Sequence, residues 1–445
     1  MAKLPFFRSL IAKDCEDVFY CGASLDSRSV EKDEIFFAVR GLNANGNKFA
    51  QDALNKGAAF VVMDDFMRYE AVKGNKVLVK DSKLCLMDMG RKRLMQKESL
   101  RIAVTGSFGK TGTKDMLALV FSTKYKTYAT KGNHNNDLGI HLTACGMPLD
   151  MDYGIFELGT NSRGEIKTAS KLVRPNIAVL TGLGNAHVGN FGSVDEVARE
   201  KLSAVEGLEE GGVIIAHEVY AKKLRELYPG EAEKAIFFGV EPQSAIRLKK
   251  TAITGRRLSF DVETKEGISS FSLKYPYPHL AVNAMAVITA ARLANISDED
   301  IAGALTDFTV PKGRGNIIEA GDFTIIDDCY NASLEAVLKS VAALNNFEGE
   351  KFALIGGIGE TGELAPAIYK TVMDETQKYQ DINFILSGDF YEGAKGKNVK
   401  VALSPAQTEE ALKEVSGTVL VKASHSFGFE RYVEMLVKQA GNNAL

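Results

Sequence analysis

The sequence predicts an α/β protein built of three α/β domains in series. Its 445 residues exceed what one hydrophobic core usually organises. Short apolar runs alternate with helical segments along the chain, and several of these runs end in glycine-bearing loops, as buried parallel strands do. We expect a small N-terminal domain over residues 1–82, a central P-loop-type parallel-sheet domain over 83–311, and a Rossmann-like C-terminal domain over 312–445.

The first domain is predicted from three consecutive segments. "DEIFFAVRG" (33–41) is apolar and extended, and "KFAQDALNKG" (48–57) has helical spacing with a glycine stop. "AAFVVMDD" (58–65) is extended again. This alternation indicates a small α/β unit.

The central domain begins with the strand "LRIAVTG" (100–106), a glycine loop and the helix "TKDMLALVFSTKY" (113–125). Two further apolar runs, "DYGIFELG" (152–159) and "NIAVLTGLG" (176–184), also end in glycine loops. Such continuous apolar runs are typical of a parallel sheet that is covered on both faces. We expect two of its helices at "SVDEVAREKLSAVEGL" (193–208) and "HLAVNAMAVITAARLAN" (279–295).

The third domain follows a linker at "TVPKGRGN" (309–316). The strands "FTIIDDCYN", "KFALIGGIG", "INFILSG" and "GTVLVKAS" alternate with helices at "SLEAVLKSVAAL", near "AIYKTVMDETQK" and at the end of the chain. Repeated β-α-β-α order predicts a doubly wound sheet.

Composition excludes several classes of function. The formal net charge is -3, from 54 basic and 57 acidic residues with no long run of either sign, so no nucleic-acid or membrane partner is indicated. The five cysteines form no C-x-x-C pair, which argues against a disulfide framework or a thiolate zinc site and favours the reducing cytoplasm. No apolar run approaches the ~18 residues that span a bilayer.

The glycine loop "TGSFGKT" (105–111) has the composition of a phosphate site. Gly106 and Gly109 allow the backbone to approach an anion, and the helix that follows directs its positive end at it. Lys110 can reach the β- and γ-phosphates, and Thr111 can hold Mg²⁺. Val104 stands where the full G-x-x-x-x-G-K-[ST] pattern has its first glycine. The alternative is an ordinary turn with an exposed lysine.

Two polar residues follow neighbouring strands of the central domain. Glu157 ends "DYGIFELG", and His187 lies in the loop after "NIAVLTGLG". The carboxyl ends of parallel strands share one sheet edge, where ligands bind, and a carboxylate there suits Mg²⁺. The alternatives are a solvated strand-end charge for Glu157 and a chance placement for His187.

Lys201 occupies an unusual position in the helix that Ser193 and Glu196 open as an S-x-x-E capping box. By helical spacing it falls on the apolar stripe. The stripe consists of Val194, Val197, Ala198, Leu202, Val205 and Leu208. An inward lysine either extends its amine to water or has a depressed pKa and a function, and periodicity leaves both open.

Taken together, the motifs resemble those of the Mur ligase family, the ATP-dependent amide-forming enzymes of peptidoglycan synthesis. The segments that carry the resemblance are "SLDSRSVEKDEIFFAVRGLNANGNKFAQDALNKGAAFVV", "TGSFGKTGTKDML", "TKGNHNNDLGIHLT", "FELGTNSRGEI", "NAHVGNFGSVDEVAREK", "PHLAVNAMAV", "KGRGNIIEAGDFTIIDDCYNAS" and "VLVKAS". "GNHNNDLG" and "DDCYNAS" are most similar to the members that join D-alanyl-D-alanine to UDP-N-acetylmuramoyl-tripeptide. The resemblance implies a monomer that acts on these two small molecules through an acyl phosphate.

The resemblance also implies roles for individual residues. Lys110 would hold ATP phosphates with the loop amides, Thr111 and Glu157 would hold one Mg²⁺, and His187 a second. Lys201 would be carried as a carbamate that supports the second metal, which makes Lys110, His187 and Lys201 the catalytic group. The remaining residues would contact ATP phosphates (Gly106, Ser107, Gly109), adenine (Asn283), ribose and phosphate (Arg314, Asp327), the uridine nucleotide (Ser27, Arg28), the muramoyl-peptide channel (Asn135, Asn136) and the site from the C-terminal side (Tyr330, Asn331).

Some motifs depart from the family pattern. G-H-N reads Pro278-His279-Leu280, Y-N-A-N-P reads "YNASL", and K-G-S-R reads "KASH". Most departures lie in or near the third domain, which receives the incoming amine in similar enzymes. Two alternatives therefore stay open: a Mur-type ligase with a different amine, and a nucleotide-binding homologue without catalysis.

Overall fold

The structure, a computed structural model, describes residues 20–41, 44–96, 99–184, 188–359 and 361–442. Within these residues the strands form three sheets separated and covered by helices, which confirms the predicted α/β class. The chain divides into two compact units. The first comprises the described residues up to Gly182 with Ala198–Arg247 and Asn283–Ala304, and the second comprises those within Leu183–Val197, Leu248–Val282 and Leu305–Leu445.

The first unit opens with a four-stranded parallel sheet in the order β1-β2-β3-β4. Its elements are β1 (Ala23–Ser24), β2 (Ile35–Phe37), α1 (Ala50–Asn55), β3 (Phe60–Met63), α2 (Phe66–Ala71), β4 (Lys76–Leu78) and α3 (Ser82–Met95). Ile35, Phe37 and Val62 pack on Leu86 of α3. Asp81 starts α3 because its carboxylate accepts the N–H of Leu84 at 2.8 Å.

The central strands form a parallel run of seven in the order β11-β10-β9-β8-β5-β7-β6, of which all but the C-terminal part of β11 belongs to the first unit. The strands are β5 (Leu100–Thr105), β6 (Thr127–Ala129), β7 (Tyr153–Glu157), β8 (Ile177–Leu180), β9 (Val213–His217), β10 (Ile236–Gly239) and β11 (Ile246–Thr254). Val104 of β5 pairs with Glu157 of β7, and Thr105 pairs with Leu180 of β8. This register brings the start of the glycine loop and Glu157 to the same carboxyl edge.

Several helices lie between these strands along the chain. They are α4 (Lys110–Phe121), α5 (Asp137–Gly146), α6 (Glu165–Val173), α7 (Val188–Phe191), α8 (Val194–Leu202), α9 (Ala221–Leu227) and α10 (Pro229–Ala232). The helix predicted over 193–208 is wrong in its second half, where a 3₁₀ turn at Ser203–Gly207 follows α8. There the Ser203 hydroxyl donates to the carbonyl of Glu200 at 2.7 Å and competes with regular helical bonding.

The second unit contains the antiparallel pair β12 (Arg257–Thr264) and β13 (Gly267–Leu273), which our sequence reading did not place. Leu258, Phe260 and Val262 are buried and alternate with exposed or half-buried residues. A strand that is wet on one face carries half the apolar content of a buried parallel strand, so a search for continuous apolar runs misses it.

A six-stranded sheet of this unit has the order β14-β15-β19-β16-β17-β18 and is parallel except for β14. Its strands are β14 (Asn316–Ala320), β15 (Phe323–Asp328), β16 (Lys351–Ile355), β17 (Asn383–Ser387), β18 (Val399–Ala402) and β19 (Thr418–Lys422). The remaining helices of the chain are α11 (Pro278–Leu293), α12 (Asp298–Asp307), α13 (Leu334–Leu344), α14 (Ala365–Thr376), α15 (Pro405–Leu412) and α16 (Glu430–Asn442). None of the helices in the described ranges is long and apolar enough to cross a membrane.

Candidate active site

The glycine loop is shaped by two residues with positive φ. Gly106 has φ 151°, and a Cβ there would collide with the hydroxyl of Thr181. Gly109 has φ 84° and caps α4, where its carbonyl accepts the N–H of Thr113 at 2.9 Å. The Ser107 N–H donates to the carbonyl of Gly182 at 2.8 Å. The loop is therefore fixed against the end of β8 and leads directly into the positive end of a helix.

Lys110 lies over this loop. Its Nζ donates to the carbonyls of Gly106 at 2.8 Å and Ser107 at 3.3 Å. Thr111, the next residue, is buried in the first turn of α4. An anion bound by the loop amides would draw the ammonium group from these neutral carbonyls, because opposite full charges attract each other more strongly than a charge attracts a carbonyl dipole.

Asn283 of α11 packs against the loop. A Cβ on Gly109 would lie 2.5 Å from Asn283 Oδ1, and one on Gly112 would lie 3.5 Å from Asn283 Nδ2. The structure thus brings the residue that the resemblance assigns to adenine next to the glycine loop. Its contact with adenine stays a prediction.

Gly109→Ala should weaken nucleotide binding. The new methyl group would meet Asn283 and also occupy a left-handed conformation, which costs about 1–2 kcal/mol. Gly211→Ala is the matched control, because Gly211 has φ 76° and open space around its Cβ position. We expect both variants to lose thermal stability and only Gly109→Ala to bind ADP about tenfold more weakly in calorimetric titration. Equal ADP affinity in the two variants would contradict the assignment of the glycine loop to nucleotide binding.

Glu157 is buried at the end of β7. Its Oε1 accepts a hydrogen bond from Asn135 Nδ2 at 2.7 Å, and its backbone N–H donates to the Thr130 hydroxyl at 3.2 Å. Its Oε2 is buried and has no hydrogen-bond partner among the described residues. Glu157 is therefore a buried residue and not the solvated strand-end charge of the alternative, and its Oε2 is available to a ligand.

Lys201 is completely buried, which confirms the inward position that its spacing predicts. Its Nζ has no hydrogen-bond partner in the part of the chain that the structure describes. Burial and the charge of Lys110 hold the pKa of Lys201 well below the ordinary lysine value, while Glu200, Glu157 and Glu165 act in the opposite direction. The amine is accordingly neutral over a wider pH range than that of a surface lysine.

Glu200 is a buried residue of this region that sequence reasoning missed. Its carboxylate accepts the N–H groups of Gly164 at 2.8 Å and Ile166 at 2.9 Å, where α6 begins. Anions are favoured at this end of a helix. The only sequence signal was a glutamate adjacent to the inward Lys201, and adjacency on a helix does not predict burial.

Other predicted residues of the first unit have local partners. Arg28 is exposed and forms a two-point ion pair with Asp26, whose shortest contact is 2.7 Å, beside the buried Ser27. Asn136 Oδ1 accepts the N–H of Gly139 at 2.9 Å and caps α5. Their ligand contacts stay predictions. His187 lies outside the described residues.

The predicted residues of the second unit form one cluster of their own. The guanidinium of Arg314 lies 4.2 Å from the centroid of the Tyr330 ring. Buried Asp327 accepts the N–H of Gly313 at 3.1 Å, and the Tyr330 N–H donates to the Gly313 carbonyl at 2.9 Å. The carbonyl of Asn331 accepts a hydrogen bond from Lys422 at 2.6 Å.

Four buried side-chain atoms of the first unit have no hydrogen-bond partner among the described residues, and two of them belong to predicted metal-site residues. No group of three or more His, Cys, Asp or Glu side chains in the described residues could hold a metal by itself. Glu157 Oε2 and Lys201 Nζ are nevertheless buried polar atoms that lack partners there. Isolated buried polar atoms are costly, so each of these two atoms is available to a ligand.

Comparisons with known proteins match most of the chain. Residues 104–291 match the Mur ligase middle domain, and residues 20–95 match the Mur ligase family, catalytic domain. The UDP-N-acetylmuramoyl-tripeptide–D-alanyl-D-alanine ligase of Borreliella burgdorferi is 30% identical over 81% of this chain and 79% of its own. The Bacillus subtilis ligase of the same name is 28% identical over 94% and 93%. MurF from Acinetobacter baumannii, a crystal structure, has a TM-score of 0.79 and 26% identity, covering 94% of this chain and 93% of its own.

Proposed function

Because this chain belongs to the Mur ligase family, we propose that it is the ATP-dependent ligase that joins D-alanyl-D-alanine to UDP-N-acetylmuramoyl-tripeptide in peptidoglycan precursor synthesis. Relatives that bear this ligase's name align with nearly the whole chain. The observation that supports catalysis, as opposed to nucleotide binding alone, is the buried amine of Lys201. The charges of Lys110 and Glu157 act on the pKa of this amine. A protein that only bound nucleotide would have no need to keep an unpartnered amine in its core.

The reaction must activate a carboxylate, which is a poor electrophile. In the proposed first step a peptide carboxylate oxygen attacks the γ-phosphorus of ATP, the bond to the β-bridging oxygen breaks, and ADP leaves. The amine of D-alanyl-D-alanine then attacks the acyl carbon, the C–O bond to phosphate breaks, and the amine loses a proton. Lys110 and the amides of the glycine loop hold the phosphates and offset negative charge during transfer.

Magnesium fits the donor atoms of this site. Thr111 and Glu157 would hold one Mg²⁺, and His187 together with the carbamate of Lys201 would hold the second. When bound, the cations would neutralise charge on the phosphates and align them with the acceptor. The carbamate forms when the neutral amine of Lys201 adds to the carbon of CO₂ and releases one proton. The depressed pKa of Lys201 favours this addition, because only the unprotonated amine carries the necessary lone pair.

The substrate contacts of the family are proposed for the matching residues. Ser27 and Arg28 would meet the uridine nucleotide, Asn135 and Asn136 the muramoyl peptide, and Asn283 adenine. Arg314 and Asp327 would contact ribose and phosphate, with Tyr330 and Asn331 facing the incoming dipeptide. We further propose that the protein acts as a monomer in the cytoplasm. The cysteines in the described residues, Cys21, Cys85, Cys145 and Cys329, are free thiols, which is usual in a reducing compartment.

Phosphate release is the direct test of this function. We expect phosphate from ATP and Mg²⁺ only when UDP-N-acetylmuramoyl-tripeptide and D-alanyl-D-alanine are both present, with the ligated product identified by mass spectrometry. Parallel reactions with D-alanyl-D-serine, D-alanine and L-alanyl-L-alanine test the amine. Faster turnover with one of these would support the ligase with a different amine, and nucleotide binding without phosphate release in any mixture would support the non-catalytic homologue.

A further inference from the structure

An ion pair ties the loop 130–136 to the N-terminal sheet. Lys131 Nζ lies 2.7 Å from Glu34 Oε1 and 2.9 Å from Glu31 Oε2. The side chain of Glu34 is only 2% exposed. Gly22 has φ 106°, and a Cβ there would lie 2.7 Å from Glu34 Oε1, so a glycine makes room for the carboxylate. The N-terminal sheet thus provides a buried carboxylate that pairs with the lysine of this loop.

The pair is costly as a source of stability. Burial lowers the pKa of Lys131, but its hydrogen bonds to Glu34 and Glu31 raise it above the ordinary lysine value, so the ammonium group stays charged. The Glu34 carboxylate is buried whereas the Lys131 side chain is 48% exposed, so desolvation of the carboxylate offsets part of the Coulomb attraction. The better-supported use of such a pair is to specify one geometry. What the pair specifies here is the path of the loop.

The other contacts of the loop reach Glu157. Asn135 donates to Glu157 Oε1 at 2.7 Å, and the Thr130 hydroxyl accepts the Glu157 N–H at 3.2 Å. Lys131 lies between these two contacts in the sequence and is the loop residue that Glu34 holds. A shift of Lys131 would therefore be transmitted to both contacts with Glu157. These two contacts set the orientation of the Glu157 carboxylate, since its Oε2 has no hydrogen-bond partner among the described residues.

We infer that Glu34 and Lys131 are positioning residues, which hold the loop 130–136 so that Asn135 and Thr130 present Glu157 Oε2 to a divalent cation. The inference rests on the proposed function, which assigns Glu157 to Mg²⁺. It places a determinant of the cation site in the N-terminal sheet, on residues that touch neither nucleotide nor metal. It also accounts for a buried glutamate that the reaction itself does not use.

The test replaces the pair with neutral groups of similar size. Glu34→Gln with Lys131→Met leaves no unpaired buried charge, since the remaining Glu31 is exposed. Lys126→Met with Asp150→Asn is the matched control, because that pair is 2.8 Å long and exposed, and Lys126 lies at the opposite end of β7 from Glu157. Mn²⁺ is titrated calorimetrically into each enzyme saturated with ADP, and hydrogen–deuterium exchange is followed over residues 130–136. We expect about tenfold weaker Mn²⁺ binding and faster exchange in the first variant only.

A second comparison separates positioning from general destabilisation. Asn135→Ala should weaken Mn²⁺ binding by itself, and adding Glu34→Gln and Lys131→Met to it should cause less than the additive loss, because all three changes affect the contact between Asn135 and Glu157. Unchanged Mn²⁺ affinity in the paired variant, or fully additive losses, would overturn the inference. Should the paired variant not fold, Lys131→Gln takes its place under the same criteria. Absence of ligation by the unmodified enzyme would overturn the proposed function instead.

Discussion

Replacing Lys201 with alanine is expected to lower the rate of ligation by about a hundredfold or more, the range found when a preorganised electrostatic group is removed. The physical reason is the loss of the carbamate that we propose for this amine. Alanine leaves a space in the buried position, so formate or acetate should partly restore phosphate release by supplying a carboxylate there. Steady-state rates of phosphate release with and without added formate or acetate measure the rescue.

Lys201→Met is the matched control for this experiment. Methionine fills most of the space, so it should abolish activity and resist rescue. It should keep or raise the thermal midpoint, because the buried amine that it removes has no hydrogen-bond partner in the described residues. Equal rescue of both variants, or near-native activity of Lys201→Ala, would remove the carbamate from the proposal.

The pH dependence follows from the depressed pKa of Lys201, which burial and the charge of Lys110 cause. A lower pKa keeps the amine unprotonated, and able to add CO₂, at pH values where an ordinary lysine is charged. Enzyme prepared in CO₂-free buffer should therefore lose activity and regain it with bicarbonate, already near neutral pH. Recovery that required a pH close to the ordinary lysine pKa would contradict this assignment.

Lys110→Ala is expected to abolish turnover, with a loss of about a thousandfold in phosphate release. The Lys110 amine donates to two carbonyls of the glycine loop, which the resemblance places at the phosphates, at 2.8 and 3.3 Å. We expect a small change in thermal midpoint, since hydrogen bonds of this kind contribute about 1 kcal/mol each.

Lys124→Ala is the control for Lys110→Ala. Lys124 follows the same helix, and its Nζ donates to the carbonyl of Asn295 at 2.6 Å at an exposed position. Its removal should leave phosphate release unchanged. Near-native ligation by Lys110→Ala, measured by product formation, would show that the glycine loop does not bind the reacting phosphates.

The sequence predicted the features that depend on local pattern. The strand, glycine loop and helix at 100–121, the capping of α8 by Ser193 and the inward position of Lys201 all follow from periodicity and turn chemistry. The sequence pattern failed to predict elements whose apolar residues are few or whose ends depend on a side-chain hydrogen bond. Half-exposed strands such as β12 carry little apolar content, and the end of α8 depends on a hydroxyl that competes for a carbonyl.

The sequence by itself determined the α/β class, the phosphate-loop composition and the inward position of Lys201 on its helix, because each depends on residues within one or two turns of each other in the chain. Only the tertiary structure decided which polar groups meet. Asn135 holds Glu157, Glu200 caps α6, Glu34 holds Lys131, and Asn283 packs against Gly109 across 174 positions of sequence. Such contacts join separate elements, and they are fixed by the register of parallel strands and the packing of helices on the sheet. No local period in the sequence carries that information.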